Sequence, residues 1–490
     1  MRLKSGYLIL LALLLVLLLI DYNMFFNHFA KTHADSDQTL FWLYTRDISE
    51  GQFRTPYLYG QNYNIPLESI LAVPMFLVGM SSYVSLPLMG LLMQLTPFLL
   101  LAYFAYKSQS YIACLLSILV GILLPVEWLM MSMPRGFMGG IFVANVGVFV
   151  LFNSKAVKSR ILGFVLCGLS LLISPNAVIL LVPALLGYVI LHKVKIGEII
   201  LALLPITIIY IGLQWFNTLH ANEFVHKSWQ IEWSLDYFLK ATNHLPEFFK
   251  GLFPVFYELG ILILAAVVLV AFKAIKSKNR SVIVASTSLL LFVLISLGVN
   301  KVNDGTASVF FPYSRMYLAL PYVILLLFIL LEKRRNSFPS KWTLFIIAIL
   351  GIVGFTVEQL YASQRINRAL TTNSDVVQLF QNSTLEEECL SLEKLMQQQN
   401  ANLLVVLSKA DQYTFGCDAL RRLKTVHPAY ERRWWLVEEY RSFKLENVIV
   451  LDWHQQLAEH FSQNQIVKIE SHWPAYRIIN SEETVSLFFD

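Results

Sequence analysis

Charge is what this chain lacks most. Only 14% of its 490 residues are charged, while 56% are hydrophobic. Ordinary soluble domains are about one quarter charged, and a soluble chain of this length would need polar side chains to cover roughly three domains. The composition therefore excludes a cytosolic enzyme, a disordered chain and a nucleic-acid-binding protein. It indicates a polytopic membrane protein.

Cysteine is also scarce, with four residues in the chain. Cys114 and Cys167 lie in apolar runs and are expected to be buried thiols. Cys389 and Cys417 lie in the polar C-terminal stretch. A disulfide between them is chemically reasonable if that stretch lies outside the cytoplasm. The alternative is two separate buried thiols.

Apolar runs alternate with short basic clusters over most of the chain. Arg2 and Lys4 precede the first run, and no small-residue cleavage site follows it. We therefore expect an uncleaved first span with a cytoplasmic N-terminus. Further apolar runs lie at about 64–81, 83–106, 110–131, 137–153, 161–174, 176–192, 197–217, 253–275, 281–299, 313–332 and 342–361.

The basic clusters all fall on the cytoplasmic face if one early run does not cross the membrane. The run at 64–81 is the best candidate because it is short and contains Pro66, Glu68 and Pro74. The pattern predicts about 11–12 membrane segments, of which about eleven cross and one is embedded. Alternatively, this segment crosses and another short run does not.

The large polar pieces then share the extracytoplasmic face. The tail has the pattern of a small α/β domain. We expect a transmembrane catalytic domain over 1–362 and an extracytoplasmic α/β domain over 363–490. The expected external loops are 27–63, 217–252 and 300–313, and the expected tail elements are helices near 385–399, 418–424 and 432–443 and buried strands at 403–407 and 448–451.

Two carboxylates stand in the first external loop, just beyond the first span. Asp35 and Asp37 precede an amphipathic aromatic stretch, which predicts a helix over about 38–50. A carboxylate at the edge of the bilayer can act as a general base for a hydroxyl while the other reactant stays in lipid. Alternatively, one of the two caps the helix, or both share a divalent metal ion.

The rest of this loop carries a pattern of spaced residues. In order, the pattern consists of Asp37-Gln38, Thr45-Arg46, Gly51, Tyr59-Gly60-Gln61-Asn62-Tyr63 and Leu67-Glu68. It resembles the first external loop of the GT-C glycosyltransferases, in the bacterial branch related to protein mannosyltransferases and to aminoarabinose and galacturonosyl transferases. Gln38 replaces the usual Glu of that family, and Thr45 replaces the usual Ala.

The resemblance implies an inverting, multi-pass enzyme in the bacterial inner membrane. Its donor would be a polyprenyl-phosphate-linked sugar, and its acceptor a glycan, a lipid or a protein. Asp37 would be the catalytic carboxylate, with Asp35 as second candidate. No cofactor is implied, although the two carboxylates leave a need for Mg²⁺ or Mn²⁺ open. Substrate contacts would come from Tyr59, Gln61, Tyr63 and Glu68.

Two later stretches carry arginines at the expected outer face. Arg315, in Pro312-Tyr313-Ser314-Arg315-Met316-Tyr317, resembles the arginine that opens a late span in this family, although Met316 interrupts the usual Arg-Tyr pair. It would bind the donor phosphate, for which a guanidinium is suited, or would extend to the interface. Glu127 and Arg135 lie in an outer turn, where they would bind sugar or phosphate or pair with each other.

Two other functions are alternatives to the transferase. A non-catalytic flippase or transporter for a polyprenyl-linked glycan would need charged groups within its spans, and this chain has few. A structural subunit would use the tail to recruit partners. The polar residues collected on one face favour the transferase.

Overall fold

The computed structural model describes residues 2–133, 135–154, 156–192, 194–220, 231–332, 338–372, 379–407, 413–421, 423–428 and 440–489. Helices dominate these residues. They are α1 (Arg2–Phe25), α2 (Ser36–Ser49), α3 (Leu67–Leu77), α4 (Ser82–Lys107), α5 (Tyr111–Leu123), α6 (Val126–Met131), α7 (Met138–Asn153), α8 (Val157–Ile173), α9 (Val178–Leu191), α10 (Ile196–Leu219), α11 (Leu235–Asn243), α12 (Leu262–Lys276), α13 (Arg280–Ser296), α14 (Leu320–Glu332), α15 (Lys341–Thr372), α16 (Asn382–Gln398), α17 (Thr414–Arg421) and α18 (Leu457–His460).

Each apolar run of the sequence contains a helix. The run at 110–131 is divided between α5 and α6 by Leu124 and Pro125, because proline has no backbone N–H to continue the first helix. Within the described residues, five helical stretches are long and apolar enough to cross a membrane: Lys4–Ala30, Ser82–Lys107, Ile196–Leu219, Tyr313–Glu332 and Lys341–Thr372. The polytopic helical class predicted from composition is confirmed, whereas the number of crossings stays a prediction.

The run at 64–81 forms the short helix α3. Its 11 residues rise about 17 Å, little more than half of the ~30 Å hydrocarbon core. The helix ends before Gly79, whose φ of +94° is a conformation that glycine adopts without strain. This length agrees with an embedded segment.

The chain folds into two compact units. The first comprises Met1–Ala30, Pro87–Gly212 and Trp229–Val376, and the second comprises Lys31–Leu86, Leu213–Ser228 and Val377–Asp490. Residues 31–63 of the first loop and α3 therefore belong with the C-terminal tail, a grouping that was not predicted from the sequence. Helix α15 runs on to Thr372, beyond the expected domain boundary at 362.

Helix α14 lies at the centre of the first unit. It packs against α5, α9, α12 and α13, and its side chains from Leu320 to Val323 are fully buried. The Tyr322 hydroxyl donates to the carbonyl of Gln94 at 3.0 Å, and the Tyr322 ring lies 4.7 Å from that of Phe98. Tyr322, a buried aromatic side chain whose hydroxyl has a partner, therefore joins α14 to α4.

Helices α7 and α8 of the first unit approach closely at glycines. A Cβ added to Gly163 would lie 2.7 Å from Leu151 Cγ and 3.1 Å from the Gly147 carbonyl oxygen. Small residues permit such approaches between helices in lipid. This pair is one of the contacts that organise the first unit.

The second unit contains a five-stranded sheet built by the tail. Its order is β4-β3-β5-β7-β6, with β3 parallel to β4 and β5, and β7 antiparallel to β5 and β6. A separate antiparallel pair joins β1 of the first loop to β2 of the tail. The strands are β1 (His33–Asp35), β2 (Leu379–Gln381), β3 (Leu403–Val406), β4 (Thr425–Val426), β5 (Val448–Leu451), β6 (Ile466–Lys468) and β7 (Ala475–Ile478).

The predicted α/β character of the tail is confirmed. Strands β3 and β5 occupy the two predicted apolar segments and are fully buried. Helices α16 and α17 correspond to the predictions at 385–399 and 418–424, although α17 begins four residues earlier. The helix predicted over 432–443 lies largely outside the described residues. Cys389 of α16 and Cys417 of α17 form a disulfide with a Cα–Cα distance of 4.9 Å, while Cys114 and Cys167 are buried thiols.

The glycine contact between α7 and α8 predicts the effect of a small substitution. Gly163→Val should lower the free energy of unfolding by about 1–3 kcal/mol, because the added carbons overlap Leu151. Gly212→Val is the matched control in α10, since nothing lies within 4 Å of an added Cβ there. Thermal unfolding of the detergent-solubilised variants measures both, and equal losses would contradict the close packing.

Candidate active site

Asp35 begins the candidate site as the N-cap of α2. Its Oδ1 accepts from the backbone N–H of Gln38 at 2.8 Å, and the Gln38 Oε1 accepts from the backbone N–H of Asp35 at 3.1 Å. This reciprocal pair is a capping box. Asp35 therefore caps the helix, as in one of the alternatives considered for the two carboxylates. Gln38, which departs from the family pattern, completes the capping box.

Asp37 lies in the first turn of the same helix and is only partly buried. The backbone N–H groups at a helix N-terminus favour a negative charge in this position. Asp37 is thus a partly exposed carboxylate on a capped helix, a position from which a carboxylate could reach a hydroxyl.

A metal ion would need more ligands than these two carboxylates supply. Asp35 Oδ1 already accepts the capping hydrogen bond. Among the described residues, no group of three or more His, Cys, Asp or Glu side chains is arranged to hold a metal. Asp35 and Asp37 thus supply at most part of a coordination shell.

The C-terminal half of α2 carries a buried charge network. Arg46 Nη2 lies 3.1 Å from Asp47 Oδ1, and its Nη1 lies 3.6 Å from Asp418 Oδ1 of α17 and donates to the Asp418 carbonyl. Burial lowers the pKa of Arg46, but the Asp418 and Asp47 carboxylates outweigh burial and raise the pKa above its ordinary value. Arg46 therefore stays charged and connects the first loop to the tail.

Tyr59 completes this network from the loop that follows. Its hydroxyl donates to Asp47 Oδ2 at 2.6 Å, and its side chain is almost fully buried. Burial and the Asp47 carboxylate both raise the pKa of Tyr59 well above its usual value, so the phenol stays protonated. Sequence spacing identified Arg46 and Tyr59 but missed Asp47 and Asp418, the two carboxylates that hold them.

The structure places the other predicted loop residues in the same unit. Gln61 ends a turn in which its N–H donates to the Leu58 carbonyl at 2.9 Å, and Tyr63 is partly buried. Glu68 is buried in the first turn of α3. Asp35, Asp37, Tyr59, Gln61, Tyr63 and Glu68 thus all belong to the second unit.

Thr45, the second departure from the family pattern, lies where α2 packs on α3. Its hydroxyl donates to the Phe41 carbonyl at 2.9 Å, and the Ser69 hydroxyl of α3 donates to the same oxygen at 2.8 Å. Both hydroxyls are buried. The threonine therefore satisfies its polar atom within the helix pair, as burial requires.

The two predicted phosphate-binding arginines belong to the first unit and hold one loop. Arg315 donates to the carbonyls of Pro312 at 2.9 Å and Asp304 at 2.6 Å, and its guanidinium lies 3.7 Å from the Phe311 ring centroid. Arg135 donates to the Phe310 carbonyl at 2.5 Å. Both side chains are more than nine-tenths buried, and Arg315 Nη2 also lies 3.5 Å from Asp304 Oδ2. A phosphate would have to displace these loop partners.

Glu127 pairs with an arginine that the sequence reasoning missed. Arg365 of α15 donates through Nε to Glu127 Oε1 at 2.9 Å and through Nη1 to Glu358 Oε2 at 2.8 Å. The partner weighed from the sequence was Arg135. Glu358 and Arg365 stand two helical turns apart on α15, and this spacing was the signal available in the sequence.

A pocket with a mixed polar and apolar lining lies beside this ion triad in the first unit. Its polar lining consists of Asp21, His28, Glu358, Gln359 and Ser363, and the remainder is mostly apolar. Gln359 Nε2 donates to Asp21 Oδ1 at 2.6 Å. The C-terminal end of α1 therefore carries a carboxylate that α15 holds in place.

This architecture defines the class of protein as a polytopic helical membrane protein with a small α/β unit. No protein-family model and no curated protein matches the chain. Among solved structures, the chain is similar to ArnT from Cupriavidus metallidurans bound to undecaprenyl phosphate. That structure is 12% identical with a TM-score of 0.57, over 97% of this chain and 98% of that chain.

The apo state of the same protein, ArnT from Cupriavidus metallidurans, is also similar. It is 13% identical with a TM-score of 0.55, over 99% of each chain. The likeness extends over both units, including the tail. It shows that the chain shares the fold of ArnT.

The ion triad predicts a strong effect on stability. Arg365→Gln leaves Glu127 and Glu358 buried without their counter-charge. We expect the free energy of unfolding to fall by about 3 kcal/mol. This value is at the low end for a buried pair because a fifth of the arginine side chain is exposed. Thermal unfolding in detergent measures it. Arg368→Gln, an exposed position on the same helix, is the control.

A second substitution separates charge from packing. Adding Glu127→Gln to the Arg365→Gln variant should recover part of the lost stability, since it removes one uncompensated charge. Equal unfolding temperatures for the Arg365→Gln and Arg368→Gln variants would contradict the triad.

Proposed function

We propose that this protein is a glycosyltransferase that moves a sugar from a polyprenyl-phosphate donor to an acceptor hydroxyl. The observation that carries the proposal is the fold shared, over nearly the whole chain, with a solved ArnT structure that holds undecaprenyl phosphate. Asp37 adds to it, because it is a partly exposed carboxylate on a capped helix of the first loop.

In the proposed reaction, Asp37 takes the proton of the acceptor hydroxyl. The hydroxyl oxygen forms a bond to the anomeric carbon as the bond from that carbon to the phosphate oxygen breaks, and polyprenyl phosphate leaves. Attack from the face opposite the phosphate inverts the anomeric configuration. A phosphate monoester is a fair leaving group, and we propose a reaction that needs no cofactor.

Arg315 and Arg135 are the proposed partners of the donor phosphate. Charge develops on the phosphate oxygen as the sugar leaves, and guanidinium groups stabilise such charge best in a site that excludes water. The two side chains now bond to carbonyls of the loop over 304–312. Donor binding would therefore exchange these carbonyls for phosphate oxygens and move the loop.

We place the reaction on the outer face of the bacterial inner membrane, with the tail on that face. The donor would enter from the lipid phase and the acceptor from the aqueous side. Glu68 and Glu127 are retained as proposed substrate contacts near the loop and the outer turn, and the acceptor class covers glycans, lipids and proteins.

The purified protein should be assayed with a panel of undecaprenyl-phosphate sugars, scored for release of undecaprenyl phosphate. Turnover of at least one donor in the presence of a chelator supports the transferase without a metal requirement. No release from any donor, with protein that unfolds cooperatively, would overturn the transferase. Turnover only with Mg²⁺ or Mn²⁺ would overturn the proposal that no metal is needed.

Asp37→Asn should lower kcat by about 10²–10⁴-fold, the usual contribution of a general base. Asp35→Asn is the matched control, because asparagine caps helices as well as aspartate does, and we expect its rate to stay within about threefold of the parent. Initial rates with the donor identified by the panel test both. The reverse ranking of the two variants would assign the base to Asp35.

A further inference from the structure

The tail contacts α2 near its N-terminal end. Strand β1 pairs with β2 so that Asp35 lies opposite Leu379. Beyond β2, the backbone N–H of Asn382 donates to the Thr32 carbonyl at 2.9 Å, and its side chain donates to the Lys31 carbonyl at 2.5 Å. The residue that caps α2 is thus itself part of a sheet with the tail.

The tail also contacts the middle and the C-terminal half of α2. A Cβ added to Gly416 of α17 would lie 3.3 Å from Thr39 Cγ2 and 3.5 Å from Trp42 Cζ3. One turn from Trp42, Arg46 bonds to Asp418. Helix α17 therefore lies along α2, and its Asp418 forms a largely buried ion pair with Arg46.

The disulfide joins these two sets of contacts. Cys389 belongs to α16, which follows β2 directly, and Cys417 lies next to Asp418 on α17. Both cysteine side chains are fully buried. The bond therefore ties the element that contacts the start of α2 to the element that holds its far half.

We propose that Asp418 is a positioning residue for α2 and that the Cys389–Cys417 disulfide keeps Asp418 in place. Together they fix the orientation of the helix that carries Asp37. This inference rests on the proposed function for its effect on catalysis, but the restraint on α2 is a property of the fold. Asp418 acts through Arg46 and α2.

A rigid helix matters here because the base must lie within hydrogen-bond reach of a hydroxyl. Displacements of about 1 Å from reactive geometry can cost on the order of 10²-fold in rate. Helix α2 is a short helix in a loop, and its own length gives it little stability without tertiary contacts. The contacts from α17 supply the restraint.

Hydrogen exchange measures the restraint without any activity assay. In the full-length protein, Asp418→Asn and the double variant Cys389→Ser/Cys417→Ser should each speed amide exchange over residues 36–49 by about fivefold or more. Glu482→Gln removes a charge from an exposed position of the same tail and should leave exchange unchanged. Unchanged exchange in Asp418→Asn and in the cysteine variant would overturn the proposal.

Kinetics test whether the restraint serves Asp37. Asp418→Asn should lower kcat about tenfold and leave the KM for donor unchanged. In the Asp37→Asn background it should have no further effect, since there is no base left to position. Equal losses in both backgrounds, or faster exchange with unaltered kcat, would overturn the positioning role.

The two proposals fail in different ways. If no donor is turned over by the parent protein, the proposed function fails while the exchange data still decide whether Asp418 and the disulfide restrain α2. If turnover is found and exchange over residues 36–49 does not respond, the transferase stands and the positioning role falls.

Discussion

A charged group beside the hydrocarbon core must find its partners within the protein, because lipid offers no hydrogen bonds. Burial within the protein imposes the same need, and three largely buried arginines of the described residues meet it. Arg365 bonds to two carboxylates, Arg46 joins Asp47 and Asp418, and Arg315 bonds to backbone carbonyls. Arg365 and Arg46 thereby connect elements that are distant in sequence, whereas Arg315 holds the loop that directly precedes it. The few charges of this chain therefore determine how its loops and helices are held.

The first loop is held both by interactions between neighbouring residues and by interactions with residues far along the chain. Its helix begins where Asp35 and Gln38 cap each other, an arrangement that four consecutive residues specify by themselves. The burial of Tyr59, by contrast, depends on Asp47, and the charge of Arg46 depends on Asp418, far along the chain. The start of α2 is thus determined by its own sequence, whereas its C-terminal half needs contacts from the tail.

This division explains what could be predicted from the sequence. Hydrophobic runs and their charges predicted the helices of the first unit, and short apolar segments predicted β3 and β5, because both depend on local periodicity. The pattern in the first loop suggested the resemblance, and the chain shares its fold with ArnT. The partner of Glu127 could not be predicted, since 238 residues separate it from Arg365, and the grouping of α3 with the tail depends on tertiary contacts alone. Glu358 and Arg365 are two helical turns apart, and this spacing could have predicted that they share a face of α15. It could not have predicted the contact with Glu127.

The bond between Arg46 and Asp418 spans 372 residues of sequence, and this distance orders the events of biosynthesis. Helix α2 is synthesised soon after α1, and its partners α16 and α17 are synthesised much later. Until α16 and α17 have been made and joined, the helix lacks the contacts at both of its ends. The spans can insert one after another as they are synthesised, but the loop that carries Asp37 matures only when the chain is complete. The nascent protein is thus already embedded in the membrane well before the contacts that hold the helix of Asp37 have formed.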